Sequence, residues 1–409
     1  MDTAEKIIPH LFRTEYSKLV AVLCKFYGLN SIEFAEDIVS DTFLKASETW
    51  GLKGIPQNPT AWLYTVAKNK IKDNFKRTHL YNQKIAPELK HSQPKFDSIE
   101  IDFSEQNIFD SQLEMLFAIC TPLLSKEAQI PFALRVLCGF GIVEIASALL
   151  TTKSTINKRL VRAKSTLKAH NIDLSMPNSD ELSERLDNVL SILYLLFNEG
   201  YYSSTSKTLL KKDICINAMS LLNMLLNYKL TNLSDSNALM ALFCFQSSRF
   251  DARQNPDGEL ILYNDQDKSK WNLELIEKGN HFLVLSANQT NYTKYSLEAL
   301  IAYWHSKINV DEQVKWEAIL QLYNQLIQIE YSPITAMNRT YALGKVNGSE
   351  LAIKEALKIN LTHNYFYHVL LAELYDNNLV KRKEHLNLAL NLAKTESEKM
   401  FILNKTNEL

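Results

Sequence analysis

The chain has 409 residues, of which 46% are hydrophobic and 22% are charged, and its formal net charge at pH 7 is −1. A chain of this length exceeds one ordinary hydrophobic core, so we expect several domains. The near-neutral charge excludes a uniformly basic coat, so any nucleic-acid-binding surface must be local and balanced by acidic segments elsewhere.

The composition predicts an almost all-α protein, because only ten Gly and ten Pro interrupt long stretches rich in Leu, Lys, Glu, Ala and Ile. The five cysteines are widely spaced, and we interpret them as reduced thiols of the core in a cytoplasmic protein. We expect neither export nor a membrane span, since no signal-peptide pattern or long apolar run occurs. No metal-ligand cluster, phosphate-binding loop or nucleophile motif is found, so we expect no catalytic residue, metal or cofactor.

The first three helices are predicted over residues 5–28, 32–50 and 60–77 from their apolar spacing and their flanking Gly, Ser and Pro residues. The second is acidic. The third is basic, with aromatic residues interleaved: Trp62, Tyr64, Lys68, Lys70, Lys72, Asn74, Phe75, Lys76 and Arg77. Such a surface suits phosphates and unpaired bases. A solvated basic helix with its aromatic side chains in the core explains the pattern equally well.

An acidic linker is predicted over residues 81–109, where periodicity is lost and Pro87 and Pro94 occur. It separates a domain of residues 1–80 from a second helical domain of residues 110–172. Helices over 112–120 and 126–140 begin the second domain.

A helix-turn-helix is predicted next. A short helix over 142–150 is followed by a turn at Thr151 and Thr152 and by a helix over 153–170, whose inward stripe is Ile156, Leu160, Ala163 and Leu167. Residues 151–170 contain six Lys or Arg residues and no acid. Surface helices usually mix both charge signs, so this face favours DNA over an ordinary solvated surface.

The predicted DNA-binding residues of this helix divide by position. Small polar side chains at its amino-terminal end fit the major groove and its base edges, namely Ser154, Thr155 and Asn157. The cationic side chains of the same helix would contact phosphates, namely Lys153, Lys158, Arg159, Arg162 and Lys164.

These segments resemble extracytoplasmic-function sigma factors, which belong to the sigma-70 type. Residues 35–39, 43–46, Trp50, 58–63, Ala67 and 76–77 resemble region 2 of that family. Residues 128–135, Gly139, 144–146, Thr155 and 159–164 resemble region 4. The stretch 197–201, Phe-Asn-Glu-Gly-Tyr, and residues 257–259, 265–267 and 338–339 are similar to a subgroup with a long helical extension that resembles tetratricopeptide repeats.

The resemblance implies a promoter-recognition subunit. Its acidic helix would dock on the clamp of the largest subunit of core RNA polymerase, with Glu36, Asp37 and Asp41 as contacts. The basic helix with Lys68, Lys70, Lys72, Asn74, Lys76 and Arg77 would capture the minus-10 element of promoter DNA, and the stretch Lys153 to Lys164 would bind the minus-35 element.

Residues 173–409 are predicted to be a stack of amphipathic helices, repeat-like because alanines recur where helix pairs would pack closely. We expect this domain to regulate, with a regulatory protein as a possible partner. Gly200 is predicted to end a helix as its C′ residue. The motif around it has two open interpretations, a structural corner or a ligand contact.

Three rival functions account for the sequence less well. A transcriptional regulator that never joins polymerase would leave the acidic and basic helices of the first domain unexplained. An enzyme with a pocket built from Glu199, Asp265 and Asp267 has no supporting motif. A scaffold of repeats alone does not account for residues 151–170.

Overall fold

The computed structural model describes residues 4–85, 101–149, 151–170, 172–202, 208–253, 261, 263–287, 291–393 and 396–407. Throughout these residues the regular structure is helical and no strand occurs, which confirms the all-α class. The chain divides into two compact units, residues 1–200 and 201–409.

The first unit contains α1 to α8, of which α8 continues to Tyr202. Their bounds are α1 Ala4–Tyr27, α2 Ile32–Lys53, α3 Pro59–Ile85, α4 Glu105–Ile119, α5 Lys126–Val136, α6 Ile142–Ala148, α7 Lys153–Ala169 and α8 Ser179–Tyr202. The second unit contains α9 Thr208–Asn227, α10 Ser234–Ser247, α11 Leu273–Ser286, α12 Lys294–Ser306, α13 Glu312–Ile329, α14 Pro333–Asn347, α15 Ser349–Ile359, α16 Tyr365–Leu374, α17 Leu379–Leu392 and α18 Glu396–Asn407.

Helix α1 is the centre of the first unit. Its residues Tyr16, Leu19, Val20 and Leu23 are completely buried, and the helix packs against α2 on one side and α4 on the other. It ends at Gly28, whose φ of 83° lies in the left-handed region that glycine adopts without strain. Residues of the two predicted domains therefore share one compact unit.

Two helix bounds differ from the sequence expectation around the predicted linker. Helix α3 continues to Ile85. Helix α4 begins at Glu105, where Ser104 supplies the N-cap and its Oγ accepts a hydrogen bond from Asn107 N at 3.3 Å. The predicted linker of residues 81–109 is thus helical at both ends, and residues 86–100 lie outside the described part of the chain.

Helix α8 closes the carboxyl end of α4. Arg185 Nη2 donates to Phe117 O at 2.7 Å, and Asn188 Nδ2 donates to Cys120 O. These carbonyls belong to the last turn of α4 and to its C-cap, which have no partner within the helix. Lys126 Nζ also donates to Ser191 Oγ at 2.9 Å. Residues 173–200, predicted to begin the carboxyl-terminal domain, are therefore grouped with the first unit.

The prediction that Gly200 terminates a helix is wrong, because α8 runs through it to Tyr202. The neighbouring residues Leu196, Phe197 and Tyr201 are buried. Burial of this apolar face stabilises the helix across the glycine, which by itself costs about 1 kcal/mol in a helix interior.

The second unit is built from successive helix pairs with small residues at their contacts. Of the six alanines predicted to allow close packing, five are at most 2% exposed, namely Ala342, Ala352, Ala356, Ala372 and Ala389, and Ala393 is half-buried. A Cβ atom added at Gly344 of α14 would come within 2.8 Å of the Leu374 side chain of α16 and 3.3 Å of Ala352 Cβ. The repeat-like character of the extension stays a prediction.

All five cysteines are buried. Burial raises the pKa of Cys120, Cys138, Cys215 and Cys244 to about 12 each, which disfavours the reactive thiolate. Among the described residues, no helix combines the length and the apolar character needed to cross a bilayer.

Candidate nucleic-acid interface

Helices α6 and α7 form the predicted pair joined by a short turn. Thr152 caps α7, and its Oγ1 accepts a hydrogen bond from Thr155 N at 3.1 Å. At the start of α6, Glu144 Oε2 accepts from Gly141 N at 2.8 Å. The predicted inward stripe of α7 is confirmed, since Ile156, Leu160, Ala163 and Leu167 are all buried.

The opposite face of α7 is polar, cationic and open to solvent. Five predicted DNA contacts are exposed, namely Lys153, Ser154, Asn157, Lys158 and Arg162, and two are half-buried, Thr155 and Arg159. Within the described residues, none of the four cations in this set forms an ion pair. Their charges are not neutralised by neighbouring carboxylates, so this face attracts phosphates.

Two predicted DNA contacts on α7 already have partners. Thr155 Oγ1 lies 2.9 Å from Thr152 Oγ1 and so shares in the cap of its own helix. Lys164 Nζ lies 2.5 Å from Glu36 Oε2 and is half-buried. The predicted cationic contacts that are free of such bonds therefore lie in the amino-terminal two-thirds of α7.

The basic helix α3 exposes two cations among its described side chains. Lys68 and Lys72 are exposed and lie one helical turn apart on the same side. Lys70 forms an ion pair with Asp41 at 3.2 Å, and Asn74 is half-buried. Lys76 and Arg77 belong to the helix, but their side chains lie outside the described part of the structure.

Two aromatic residues of α3, Trp62 and Tyr64, are engaged within the first unit. Trp62 is half-buried against Trp50, with ring centroids 5.3 Å apart. Tyr64 stacks on Phe103 at 5.1 Å and donates to Glu15 Oε2 at 2.6 Å, and burial with this hydrogen bond raises the pKa of Tyr64. These contacts favour the packing interpretation of Trp62 and Tyr64 over base stacking.

Phe103 is a contact residue that the sequence did not indicate. It lies just before α4, in the predicted linker, and the Lys68 ammonium lies 5.5 Å from its ring centroid. Aromatic residues in loops carry no periodic signal, so only the three-dimensional structure reveals that Phe103 covers part of α3.

The acidic helix α2 carries three predicted polymerase contacts, which differ in accessibility. Asp37 and Asp41 are exposed. Glu36 is 8% exposed and accepts hydrogen bonds from Tyr16 Oη at 2.9 Å, Arg135 Nε at 3.2 Å and Lys164 Nζ at 2.5 Å. In this arrangement Glu36 is occupied by the protein's own residues, whereas Asp37 and Asp41 face solvent.

The three acidic residues considered for an enzymatic site differ in their surroundings. Asp267 accepts hydrogen bonds from the Ser269 amide at 3.0 Å and from its hydroxyl at 2.7 Å, and these bonds lower the pKa of Asp267. Asp265 is exposed, and burial raises the pKa of Glu199. In the ranges that the structure describes, no group of His, Cys, Asp and Glu residues is arranged to hold a metal ion.

Comparison with known proteins identifies two segments of the chain. Residues 11–80 match the model of sigma-70 region 2, from within α1 through α2 and most of α3. Residues 185–287 match a family of unknown function, DUF6596, from within α8 to the end of α11.

Two proteins are similar to this chain in sequence. An uncharacterized protein of Rhizobium meliloti, R00370, is 28% identical over 384 residues, covering 91% of this chain and 89% of its own length. A probable RNA polymerase sigma factor of Haemophilus influenzae is 24% identical over 148 residues, covering 33% of this chain and 76% of its own length. No solved structure gives a significant match. The region 2 match and the Haemophilus influenzae relative together support a sigma-70 type factor.

Proposed function

We propose that this protein binds core RNA polymerase and directs promoter-specific initiation of transcription. The exposed acidic residues of α2 would contact the clamp of the largest polymerase subunit. The cationic residues of α3 would hold the minus-10 element, and the exposed face of α7 would bind the minus-35 element. The second unit would act as a regulatory module, with a protein as its possible partner, and no cofactor or catalytic residue is involved.

The observation that carries this proposal is the unneutralised cationic face of α7 in the same compact unit as a sigma-70 region 2 domain. A helix whose amino-terminal end offers Ser154 and Asn157 with Lys158 and Arg162 alongside has donors and acceptors for base edges and cations for phosphates. Region 2 supplies the link to polymerase.

The rival function is a DNA-binding regulator that acts without joining polymerase, with the second unit as its sensory or interaction domain. Such a protein would use α7 in the same way but would need a sigma factor already present. It would give no role to the exposed Asp37 and Asp41 of α2.

Reconstituted transcription separates the two functions. The full chain is added to core polymerase that lacks any sigma factor, with a library of promoter fragments as template, and specific start sites are mapped. We expect new specific transcripts that depend on the chain. Transcripts that appear only when another sigma factor is present would favour the regulator. Lys158→Ala with Arg162→Ala should abolish specific starts, whereas Lys229→Ala, an exposed charge in the second unit, should leave them unchanged.

A further inference from the structure

Glu36 links α2, the helix predicted to contact polymerase, to α7, the helix predicted to contact DNA. It lies on α2, inside the region 2 match, and its carboxylate accepts from Arg135 on α5 and Lys164 on α7. The two cationic partners are 99 and 128 residues away in sequence. The residue predicted to face polymerase and a residue predicted to face DNA are thus bonded to each other.

The surroundings of Glu36 hold this contact in place. Tyr16 of α1 donates to Glu36 Oε1, and the Arg135 guanidinium lies over the Tyr16 ring, 5.0 Å from its centroid. The side chains of Glu36, Arg135 and Lys164 are 10%, 19% and 19% exposed. A largely dehydrated carboxylate with two cations is stable only while the charges remain together, because removal of one partner leaves an uncompensated buried charge.

A second ion pair lies at the same junction, where α1 and α2 meet the helices α5, α6 and α7. Arg13 of α1 bonds Glu144 of α6 at 2.7 Å, and the Arg13 guanidinium lies 5.1 Å from the centroid of the Phe140 ring. Gly139 also approaches α1, since a Cβ atom added there would lie 3.3 Å from Phe12 O. The turn before α6 therefore packs closely against α1, and ion pairs stabilise the junction.

We propose that the contact of Glu36 with Arg135 and Lys164 is a latch that holds the first unit closed, and that it opens when polymerase and promoter are bound together. This inference rests on the proposed function. In the closed state Glu36 and Lys164 compensate each other's charge, and their side chains are 10% and 19% exposed, so little of either is accessible to polymerase or to a phosphate. Exposed residues such as Asp37 and Arg162 remain available for a first encounter.

The first test measures closure directly in the full chain. Arg13→Cys and Glu144→Cys place thiols at side chains that are 33% and 39% exposed, whereas the five native cysteines are buried. A short bis-thiosulfonate reagent links the two thiols when the junction is closed. We expect Glu36→Gln and, separately, Lys164→Met to lower the initial linking rate at least about threefold. Glu48→Gln, an exposed carboxylate on the same helix, serves as the control and should have no effect. Unchanged rates in both latch variants, each folded by circular dichroism, would overturn the proposal.

The second test connects closure to function. The linked protein should support at least about tenfold less specific transcription with core polymerase than the same protein after dithiothreitol has cleaved the link. Equal transcription by linked and cleaved protein would also overturn the latch. If neither form transcribes, the sigma function fails, and the linking rates still decide whether the latch exists.

Discussion

Arg185 of α8 donates to the main-chain carbonyl of Phe117 at 2.7 Å, and this bond ties α8, in which the match to the family of unknown function begins, to the carboxyl end of α4. The extension is therefore not simply appended after residue 172, because its first helix supplies hydrogen bonds that α4 lacks by itself. Separation of the two parts should be made after Gly200, where the compact units divide.

We predict that Arg185→Ala lowers the free energy of unfolding of the first unit by about 1–3 kcal/mol, since a charged donor is lost from a partly buried carbonyl. Urea denaturation of the full chain, followed by circular dichroism, measures the change. The neighbouring Glu184→Ala alters an exposed side chain and should shift stability by less than about 0.5 kcal/mol. Equal effects of the two substitutions would contradict the capping role of Arg185.

For the same reason, a fragment of residues 1–200 should be more stable than a fragment of residues 1–175. The shorter fragment loses the bonds from Arg185 and Asn188 and the bond between Lys126 and Ser191. Thermal unfolding of both fragments provides the comparison. Identical melting temperatures would show that α8 contributes nothing to α4.

The exposed cations of α7 predict a salt-dependent interaction with DNA. Arg162→Ala should weaken promoter binding about tenfold, or roughly 1.4 kcal/mol. The slope of log affinity against log salt concentration should fall by about one for each phosphate contact removed. Fluorescence anisotropy at several salt concentrations measures both quantities.

Lys229→Ala removes an exposed charge from the second unit and controls for net charge in this measurement. A wild-type slope in Arg162→Ala would remove this residue from the phosphate contacts. Asn157→Ala is expected to change preference among promoter sequences more than the salt slope, because an uncharged side-chain amide can bond base edges but neutralises no phosphate.

The acidic surface of α2 predicts a charge-dependent contact with polymerase. Asp37→Asn combined with Asp41→Asn should weaken binding to core polymerase at least about tenfold, whereas Glu33→Gln, an exposed acid on the same helix, should change it little. Surface plasmon resonance with immobilised core polymerase measures the affinity. An equal loss of affinity in the double variant and in Glu33→Gln would indicate a general effect of charge and no specific contact.

The ion pair between Lys70 and Asp41 matters little for this measurement. The Asp41 side chain is 65% exposed, and exposed pairs contribute at most about 1 kcal/mol. Lys70→Met should therefore leave stability nearly unchanged while it frees Asp41 for polymerase.

Sequence patterns predicted the helices of the first unit well where one apolar face is continuous. The inward stripe of α7 is an example, because its four apolar residues recur at helical spacing and are all buried. The charged face followed from the same pattern, since most residues outside the stripe are open to solvent, although Thr155, Arg159 and Lys164 are half-buried.

The burial of Glu36 could not be predicted in this way. Local sequence places it beside the exposed Asp37 on an acidic helix, and its partners are distant in the chain. Gly200 is a second case in which local sequence was not sufficient. The glycine predicted a helix end, but burial of Phe197 and Tyr201 stabilises the helix across it. Tertiary contacts decided both cases.

His305 predicts acid sensitivity of the second unit. Its Nδ1 atom is buried without a hydrogen-bond partner, and burial, followed by the nearby Arg249 and Lys315, lowers the pKa of His305 to about 3. The unfolded pKa is near 6.5, so the contribution to stability is present above that value and is lost as pH falls from 6.5 toward 3. Between pH 6.5 and 5, wild-type protein should lose about 1–2 kcal/mol that a variant without this imidazole retains.

His305→Phe is the informative variant, because it keeps an aromatic ring beside Tyr263 and Trp316 but removes the titrating group. Urea denaturation at pH 7, 6 and 5 should show a steeper decline for wild type than for His305→Phe. The exposed His281→Phe of α11 serves as the matched control and should follow wild type. Parallel curves for wild type and His305→Phe would mean that His305 becomes protonated in the folded protein without cost, so that the two cations and the buried environment do not oppose its charge.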